Sequence, residues 1–533
     1  MQRLTMNRYA ETHQEFGWGV PDTFNFGADV VDVWAQDPER KALIWLNEEG
    51  DEKHFSYQDI KHLTNQFANM LAAQGVGRGD KVIIMLPRLP QWQIAMVGCN
   101  KLGAVPIPCV TMLTEKDIRY RVEHSGAVAA VTTAEHTHKF GDDFKARVSV
   151  GAREGWIEFE EGLAQQSNHF EPVRLSADDP AILFYTSGST GLPKGVLHSA
   201  RGLFTWRVSA WYWLSLTEND LMWCTADTGW SKAGTSILYG PWSCGCTVLF
   251  FEGGFDPEKR IDLLEKYGVS VFCAAATELR KLVQLDVSDR DLSQLRLTVS
   301  AGESVNPEVV RAWRDSSGSD LLDGYGQTET LMTIVNYPSM PVKPGSMGKP
   351  LPGTDAAILN ETGNILPAGE PGSLAIKADN PQIMLGYLGD AERTASCYVE
   401  AEGQRWFLTG DNAYIDADGY IFYEGRDDDV INSAGYRIGP VEVENALMEH
   451  PSVQECAAVA SPDIERGEVV KAFIILKEKV QGNEVLVKDI QNFTKQLTAP
   501  YKYPRKVEFV KELPKTATGK IQRKLLKQQE FGG

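Results

Sequence analysis

Apolar side chains recur along this chain with two periods, one near 3.6 residues and one shorter, and their alternation predicts the elements. Ser56-Tyr57-Gln58-Asp59 has the polar pattern of a capping box, and Ile60, Leu63, Phe67, Met70 and Leu71 follow at helical spacing. Gly75-Val76-Gly77-Arg78-Gly79-Asp80 ends that helix, and Lys81 to Leu86 has the composition of a short buried strand. The same order of helix, glycine turn and apolar strand returns at Gly268 to Phe272 and ahead of Thr298 to Ala301. Such repetition predicts helices packed on mainly parallel sheets. From Trp406 to Gly425 glycine, aspartate and aromatic residues take over at strand-and-turn spacing, and the charged run Arg426-Asp427-Asp428-Asp429 follows. Beyond it the pattern predicts a helix from Pro440, strands over 454–460 and 470–477, a helix from Glu484 to Leu497 and a strand from Lys506 to Val510. The expected fold class is α/β: a large N-terminal body of mixed sheets flanked by helices over 1–426, a joint at 427–429 and a small α+β domain over 430–533.

Size and composition narrow the function classes. With 533 residues, 43% hydrophobic and 23% charged, the chain has an ordinary globular composition without repeat or low-complexity bias. A formal net charge of −19 repels a nucleic-acid backbone, so nucleic acid is not an expected partner, although a few glycines and lysines can still bind a small phosphorylated molecule locally. The eight cysteines are scattered, and Cys244 and Cys246 form a C-x-C without a second pair, so they are expected to be reduced core residues. Glu11 and Glu15 near the start, with no apolar run, do not suggest a leader peptide, and no stretch approaches the roughly 18 apolar residues of a membrane span. A cytoplasmic location without a membrane span is the expectation.

Two segments carry recognisable chemistry. Tyr185-Thr186-Ser187-Gly188-Ser189-Thr190-Gly191-Leu192-Pro193-Lys194-Gly195 follows the apolar stretch 181–184, as a strand leading into a loop. Its hydroxyls and uncovered backbone amides can wrap phosphate oxygens, and Lys194 adds a cation. It is not a Walker A loop, because Lys194 is followed by Gly195 rather than Ser or Thr. In Gly324-Tyr325-Gly326-Gln327-Thr328-Glu329-Thr330 an aromatic plane, a glycine and a carboxylate come together. A hard cation such as Mg²⁺ takes one or two protein oxygens beside substrate phosphates, which makes Glu329 the metal-ligand candidate.

Together with Asp411, Arg426 and Pro514-Lys515-Thr516-Ala517-Thr518-Gly519-Lys520, these segments resemble the ordered motifs of the acyl- and aryl-CoA synthetase, adenylation-domain and luciferase superfamily. Asp227-Thr228-Gly229-Trp230 and Asn432-Ser433-Ala434-Gly435-Tyr436-Arg437 are most similar to its medium-chain acyl-CoA synthetase branch. The resemblance implies an ATP-dependent, AMP-forming ligase that converts a short- to medium-chain carboxylic acid, branched and sulfur-containing acids included, to its acyl-CoA through an acyl-adenylate with release of AMP and pyrophosphate, with ATP, Mg²⁺ and coenzyme A as cofactor or co-substrates. It implies that Ser187 to Lys194, with Gly188, Ser189, Thr190 and Gly191 between them, hold the β- and γ-phosphates, that Thr186 also binds the nucleotide, and that Gly302, Glu303 and Ser304 with Asp323, Gly324 and Tyr325 enclose adenine. Thr328 then touches the α-phosphate, Glu329 the metal, and Asp411 and Arg426 the ribose. Lys520 is the implied catalytic lysine, bridging the carboxylate and the α-phosphate as charge builds on those oxygens. In such enzymes the small domain swings about a hinge, here Asp428, so that Lys520 leaves and the segment from Asn432 to Arg437 enters, with Asn432 and Arg437 at the nucleotide and Gly435 and Tyr436 on the CoA side.

Acetate-specific members of the superfamily carry a tryptophan where this chain has Gly326, so a longer acyl pocket is implied, with Trp230, Ala276, Gly302 and Gly326 as lining candidates. An amino-acid or aryl-acid adenylating enzyme serving another thiol is the nearest alternative, and a nucleotide-binding protein without catalysis is a second. The further partners to expect are a second copy of the chain, in a homodimer, and a lysine acetyltransferase and deacetylase acting on Lys520.

Overall fold

The structure, a computed structural model, describes residues 6, 8–186, 192–302, 305–426, 429–433, 436–464, 466–498, 501–515 and 520–532, the side chains of Asn432, Tyr436 and Arg437 excepted. The capping box forms as its sequence predicts: Ser56 and Asp59 satisfy each other's backbone amides, and the helix Tyr57–Ala73 follows. That helix lies against Pro90–Leu102, where Gly98 lets Phe67 approach so closely that an added Cβ would sit 2.6 Å from its ring.

Four sheets organise the chain. Lys81–Met85, Val105–Pro108, Ala129–Thr133, Ala146–Val150 and Ile157–Glu158 make a parallel five-stranded sheet. A 14-stranded sheet contains a parallel part, Lys41–Asn47, Thr247–Glu252, Leu221–Cys224, Val271–Cys273, Leu297–Ala301 and Asp320–Gln327. From Asp320–Gln327 onwards the same sheet continues antiparallel, through Leu331–Val335 and Ser346–Pro350 to Ile421–Arg426 and Gln404–Ile415. The body is therefore mixed, and the antiparallel half is more extensive than the helix-turn-strand pattern suggests. Pro180–Thr186, Lys194–Ser199 and Gly386–Tyr387 form the third sheet.

The parallel part explains where a site can form. Its strands are buried on both faces, and their carboxyl ends open onto one edge, the usual ligand crevice of such sheets. Cys224, Cys273, Ala301 and Gln327 end four of those strands, so the segments beginning at 225, 274, 302 and 328 meet there.

After Arg426 the small sheet takes Tyr436–Ile438, Ile431–Ser433, Gly467–Leu476 and Val453–Asp463, with Lys506–Phe509 parallel to Gly467–Leu476. Cys456, Ala458 and Ala460 pack beneath Val443, Leu447 and Ile490. Their alternates Ala457 and Val459 pack with Phe473, Leu513 and Leu526. Both faces are covered, by the helices Pro440–Met448 and Glu484–Leu497 on one side and Arg523–Glu530 on the other. This is the predicted α+β arrangement, with its ends within a few residues of expectation. The two parts touch closely at their junction: an added Cβ on Gly425 would lie 2.9 Å from Pro440 Cδ, and one on Gly439 would lie 2.4 Å from the Glu424 carbonyl. All eight cysteines are unbridged, seven of them buried, and no helix among the described residues is long and apolar enough to cross a membrane.

Candidate active site

The Ser/Gly/Thr run follows the strand Pro180–Thr186 and precedes its antiparallel partner Lys194–Ser199, with Thr186 opposite Lys194. Ser187, Gly188, Ser189, Thr190 and Gly191 lie outside the described residues. Both ends of the run are braced by the helix Glu115–Ser125: Tyr120 donates to the Pro193 carbonyl at 2.8 Å, and His124 Nδ1 lies 2.8 Å from the Tyr185 hydroxyl. The Thr186 hydroxyl is buried and meets no hydrogen-bond partner among the described residues, which suits an oxygen aimed at a ligand phosphate.

Beneath this hairpin Lys194 Nζ lies 3.1 Å from Glu329 Oε1. The Tyr387 hydroxyl is 2.9 Å from each of these atoms. Burial, then the Glu329 charge, pushes the Tyr387 phenol up, so it stays a donor to that carboxylate. Glu329 and Thr328 stand in the turn between Asp320–Gln327 and Leu331–Val335. The Thr328 carbonyl is 2.6 Å from His198 Nε2, and its hydroxyl is 3.2 Å from Ser231 Oγ. Burial drives His198 down to about 4, which keeps the ring neutral and lets Nε2–H donate to that carbonyl. Glu329 offers a side chain only 12% exposed beside the hairpin that carries Lys194, a donor chemistry that fits a hard cation.

Asp411 lies in Gln404–Ile415, paired in register with Arg426 across the antiparallel ladder. Its Oδ2 accepts from Tyr325 OH at 2.5 Å and Gln327 Nε2 at 2.7 Å, and Arg426 Nη1 stands 3.3 Å from Oδ1. A carboxylate 3% exposed is costly to bury, and these donors offset that cost while fixing its orientation. Asp323 Oδ1 accepts from the Gly324 amide at 3.0 Å, and Asn336 holds the Asp323 carbonyl from the other side at 3.1 Å. Gly324 has no room for a side chain: an added Cβ would be 2.8 Å from Trp213.

Lys520 crosses from the small domain to this edge. Gly302 adopts φ +93°, and a Cβ built there would lie 3.8 Å from Lys520 Nζ. The segment bearing Lys520 is tied down by the Lys515–Ile521 bridge and by Gln522 N–H donating to the Pro514 carbonyl at 2.8 Å. Three residues on, Arg523 grips Glu444 with two hydrogen bonds of 2.9 and 2.6 Å, and its Nη1 lies 4.0 Å from Asp429. Burial opposes the Arg523 charge, but Glu444, Asp429 and Tyr423 together outweigh it and hold the guanidinium protonated. Glu303, Ser304, Asp428 and Gly435 lie outside the described residues. For Asn432, Tyr436 and Arg437 the backbone alone is described, in the paired strands Ile431–Ser433 and Tyr436–Ile438.

Of the acyl-pocket candidates, Trp230 is half-buried at the start of the helix Ser231–Ser236, and Ala276 is buried at the start of Ala276–Leu282. Gly326 packs against the backbone of the neighbouring strand. A Cβ on it would stand 2.1 Å from the Leu331 carbonyl, inside the backbone of the neighbouring strand, at a bulge where Leu331 itself has φ +55°. A side chain at 326 therefore requires the hairpin to shift, and does not simply fill open acyl space. Residues that sequence reasoning missed are Tyr387, Ser231, His198 and Lys232, whose Nζ donates to the Ala301 carbonyl at 3.1 Å. Ser231 and Lys232 directly follow the Asp227–Trp230 motif, and that adjacency was the available signal; Tyr387 had only its flanking glycines. Cys397, the one half-buried thiol, sits against Tyr387, and burial pushes its pKa up.

The AMP-binding enzyme family model matches residues 31–388, and the AMP-binding enzyme C-terminal domain model matches residues 442–520. Acyl-coenzyme A synthetase ACSM3, mitochondrial, from Homo sapiens is 41% identical over 98% of this chain and 93% of its own length. Acyl-coenzyme A synthetase ACSM5, mitochondrial, also from Homo sapiens, is 41% identical over 96% of this chain and 92% of its own. Among solved structures, the anthranilate CoA ligase AuaEII in complex with anthranoyl-AMP superposes with a TM-score of 0.86 at 30% identity, covering 97% of this chain and 99% of that one. A benzoate CoA ligase from Burkholderia xenovorans LB400 gives a TM-score of 0.83 at 27% identity, covering 95% and 100%.

Proposed function

This chain belongs to the AMP-binding enzyme family, and on that premise we propose how its site activates a carboxylic acid with ATP and passes the acyl group to coenzyme A. In the first step a substrate carboxylate oxygen attacks the α-phosphorus, the α–β phosphoanhydride bond breaks, and pyrophosphate leaves with its electron pair. In the second a CoA thiolate attacks the acyl carbon, the bond to the AMP oxygen breaks, and AMP leaves. The observation that carries this reading is the meeting of the Lys520 ammonium and Gly302 at the edge where Thr328 and Glu329 also emerge.

The roles follow from charge and reach. The 187–191 loop and Lys194 take the β- and γ-phosphates, and Asp411 with Arg426 takes the ribose hydroxyls. Gly302, Glu303 and Ser304 with Asp323 to Tyr325 enclose adenine. Glu329 holds Mg²⁺, which supplies neutralising charge to the phosphates when bound. Lys520 offers its ammonium to the oxygens that become more negative in the first step. After it, the small domain turns about 427–429, with Asp428 as hinge, and brings Gly435 and Tyr436 to the CoA side. Reversible acetylation of Lys520 would remove the charge that the first step needs. A homodimer and a cytoplasmic location are part of the same proposal; eight unbridged cysteines suit a reducing compartment, whereas the two human relatives are named as mitochondrial.

For the acid itself we propose an unbranched or branched monocarboxylate of about three to eight carbons, with aromatic acids as the competing class. CoA-dependent AMP formation on acetate, butyrate, isobutyrate, hexanoate, a thioether acid and benzoate tests this. Highest kcat/KM among the four- to six-carbon acids is expected, and a benzoate preference would replace that class. No AMP from any acid would sink the ligase reading.

A further inference from the structure

Lys194, Glu329 and Tyr387 form a closed polar triangle. Lys194 Nζ donates to Glu329 Oε1 at 3.1 Å and to the Tyr387 hydroxyl at 2.9 Å, while that hydroxyl donates its own proton to Glu329 Oε1 at 2.9 Å. The ammonium also lies 4.6 Å from the centre of the Tyr387 ring, within cation–π range. Tyr387 is held from its own backbone. It pairs with Val196 two residues beyond Lys194, and its amide donates to Thr394 Oγ1 at 2.9 Å. Gly386, at φ +153°, leaves the space that Thr394 fills, with an added Cβ 2.9 Å from its methyl carbon.

The two charged members have opposite destinations. If Lys194 serves the phosphates and Glu329 the metal, each must exchange its present partner for a ligand of the same sign as that partner. Exchanging only one leaves the other charge in a partly buried site without its counter-ion, which is unfavourable. The hydroxyl is the only member of the triangle that needs no new partner, since it can keep donating to Glu329 while its ring face keeps the ammonium. We propose that Tyr387 is a positioning residue that couples nucleotide to metal, keeping Lys194 and Glu329 paired and letting them separate only towards ATP and a divalent cation together. This rests on the phosphate and metal roles given to Lys194 and Glu329 above.

Titration calorimetry with AMP and with a non-hydrolysable ATP analogue, each with and without Mg²⁺, tests it on the full-length enzyme. In the unaltered protein the analogue should bind at least about tenfold more tightly with Mg²⁺ than without, as expected when a hydrogen-bonded ion pair must otherwise be broken unaided. Tyr387→Phe, which keeps the ring, should weaken binding of the Mg²⁺ complex by about tenfold, reduce that Mg²⁺ advantage, and leave AMP binding unchanged. Tyr387→Leu, which removes the ring as well, should lose more. An equal loss for AMP and for the Mg²⁺ complex would mean that the hydroxyl is merely structural, and an unchanged Mg²⁺ advantage in Tyr387→Phe would overturn the coupling. Glu329→Gln separates the two levels: if it also leaves the Mg²⁺ advantage intact, the metal assignment itself falls. If it abolishes the advantage while Tyr387→Phe does not, only the role of Tyr387 falls.

Discussion

On the body side of the site, Lys194, Glu329 and Tyr387 hold one another within 3.1 Å, and Asp411, 3% exposed, is fixed by Tyr325 and Gln327. On the other side Lys520 is exposed, and the firm anchor near it, Arg523 on Glu444, lies wholly within the small domain. In the first arrangement the Asp411 carboxylate is oriented before any ligand arrives, whereas Lys194 and Glu329 are held close together and have still to exchange partners. The second ties the residues beside Lys520 to their own domain, so if the small domain turns as proposed above, the lysine should move with it and leave Gly302. What the body contributes should thus be common to both half-reactions, and what Lys520 contributes should belong to one.

The sharpest way to break that contrast is to remove the travelling charge. Lys520→Ala should lower pyrophosphate release by about a hundredfold to a thousandfold, the loss seen when one donor to a developing charge is deleted. Thioester formation from supplied acyl-AMP should continue. Asp428→Pro should show the reverse, because a fixed φ stops a hinge from turning while adenylation persists. Damage shared equally between the half-reactions in both variants would erase the distinction.

A smaller effect probes the anchor. Arg523→Met leaves Glu444 without its counter-ion in a mostly buried setting, and breaking such a pair costs about 3 kcal/mol. All 13 tryptophans precede residue 427, so their fluorescence reports the body alone. Urea unfolding followed by circular dichroism should move to lower midpoint for the small domain, while the tryptophan transition stays near its original place. Coincident shifts of both signals would show that the two parts unfold as one.

Acid offers the converse perturbation, reaching the body through His198. His198 is neutral in the folded chain down to about pH 4 and has an ordinary value of 6.5 when unfolded. Above pH 6.5 neither state binds the proton, and as pH falls below it the unfolded chain gains a proton that the folded one refuses. Stability contributed by the neutral ring is therefore lost between pH 6.5 and 4, by up to about 3 kcal/mol. The tryptophan-monitored midpoint should fall across that window, and His198→Gln should flatten the fall. An unchanged slope in that variant would assign the acid sensitivity elsewhere.

Local signals were the most legible. Ser56 with Asp59, Pro440 at a helix start and the run from Glu484 to Leu497 each carry their own boundary, because capping and helical periodicity act within a few residues. The antiparallel continuation through Gln404–Ile415 and Gly372–Lys377 was harder to see, since its strands find partners by distant pairing. The same limit applies to the site. Motif order along the chain pointed to Asp411 and Lys520, but Tyr387 meets Lys194 across 193 residues with no motif to announce it. Gly326 shows a different limit: a sequence says that a side chain is missing, and only the backbone says which way it would have pointed.

Cys397 gives the enzyme a built-in optical handle. Seven thiols are sealed in the interior, so a maleimide dye under native conditions should find this half-buried one first. The probe would rest beside Tyr387, beneath the place where nucleotide phosphates are expected, and its colour or brightness would register their arrival in real time, without a mutation to create the attachment point.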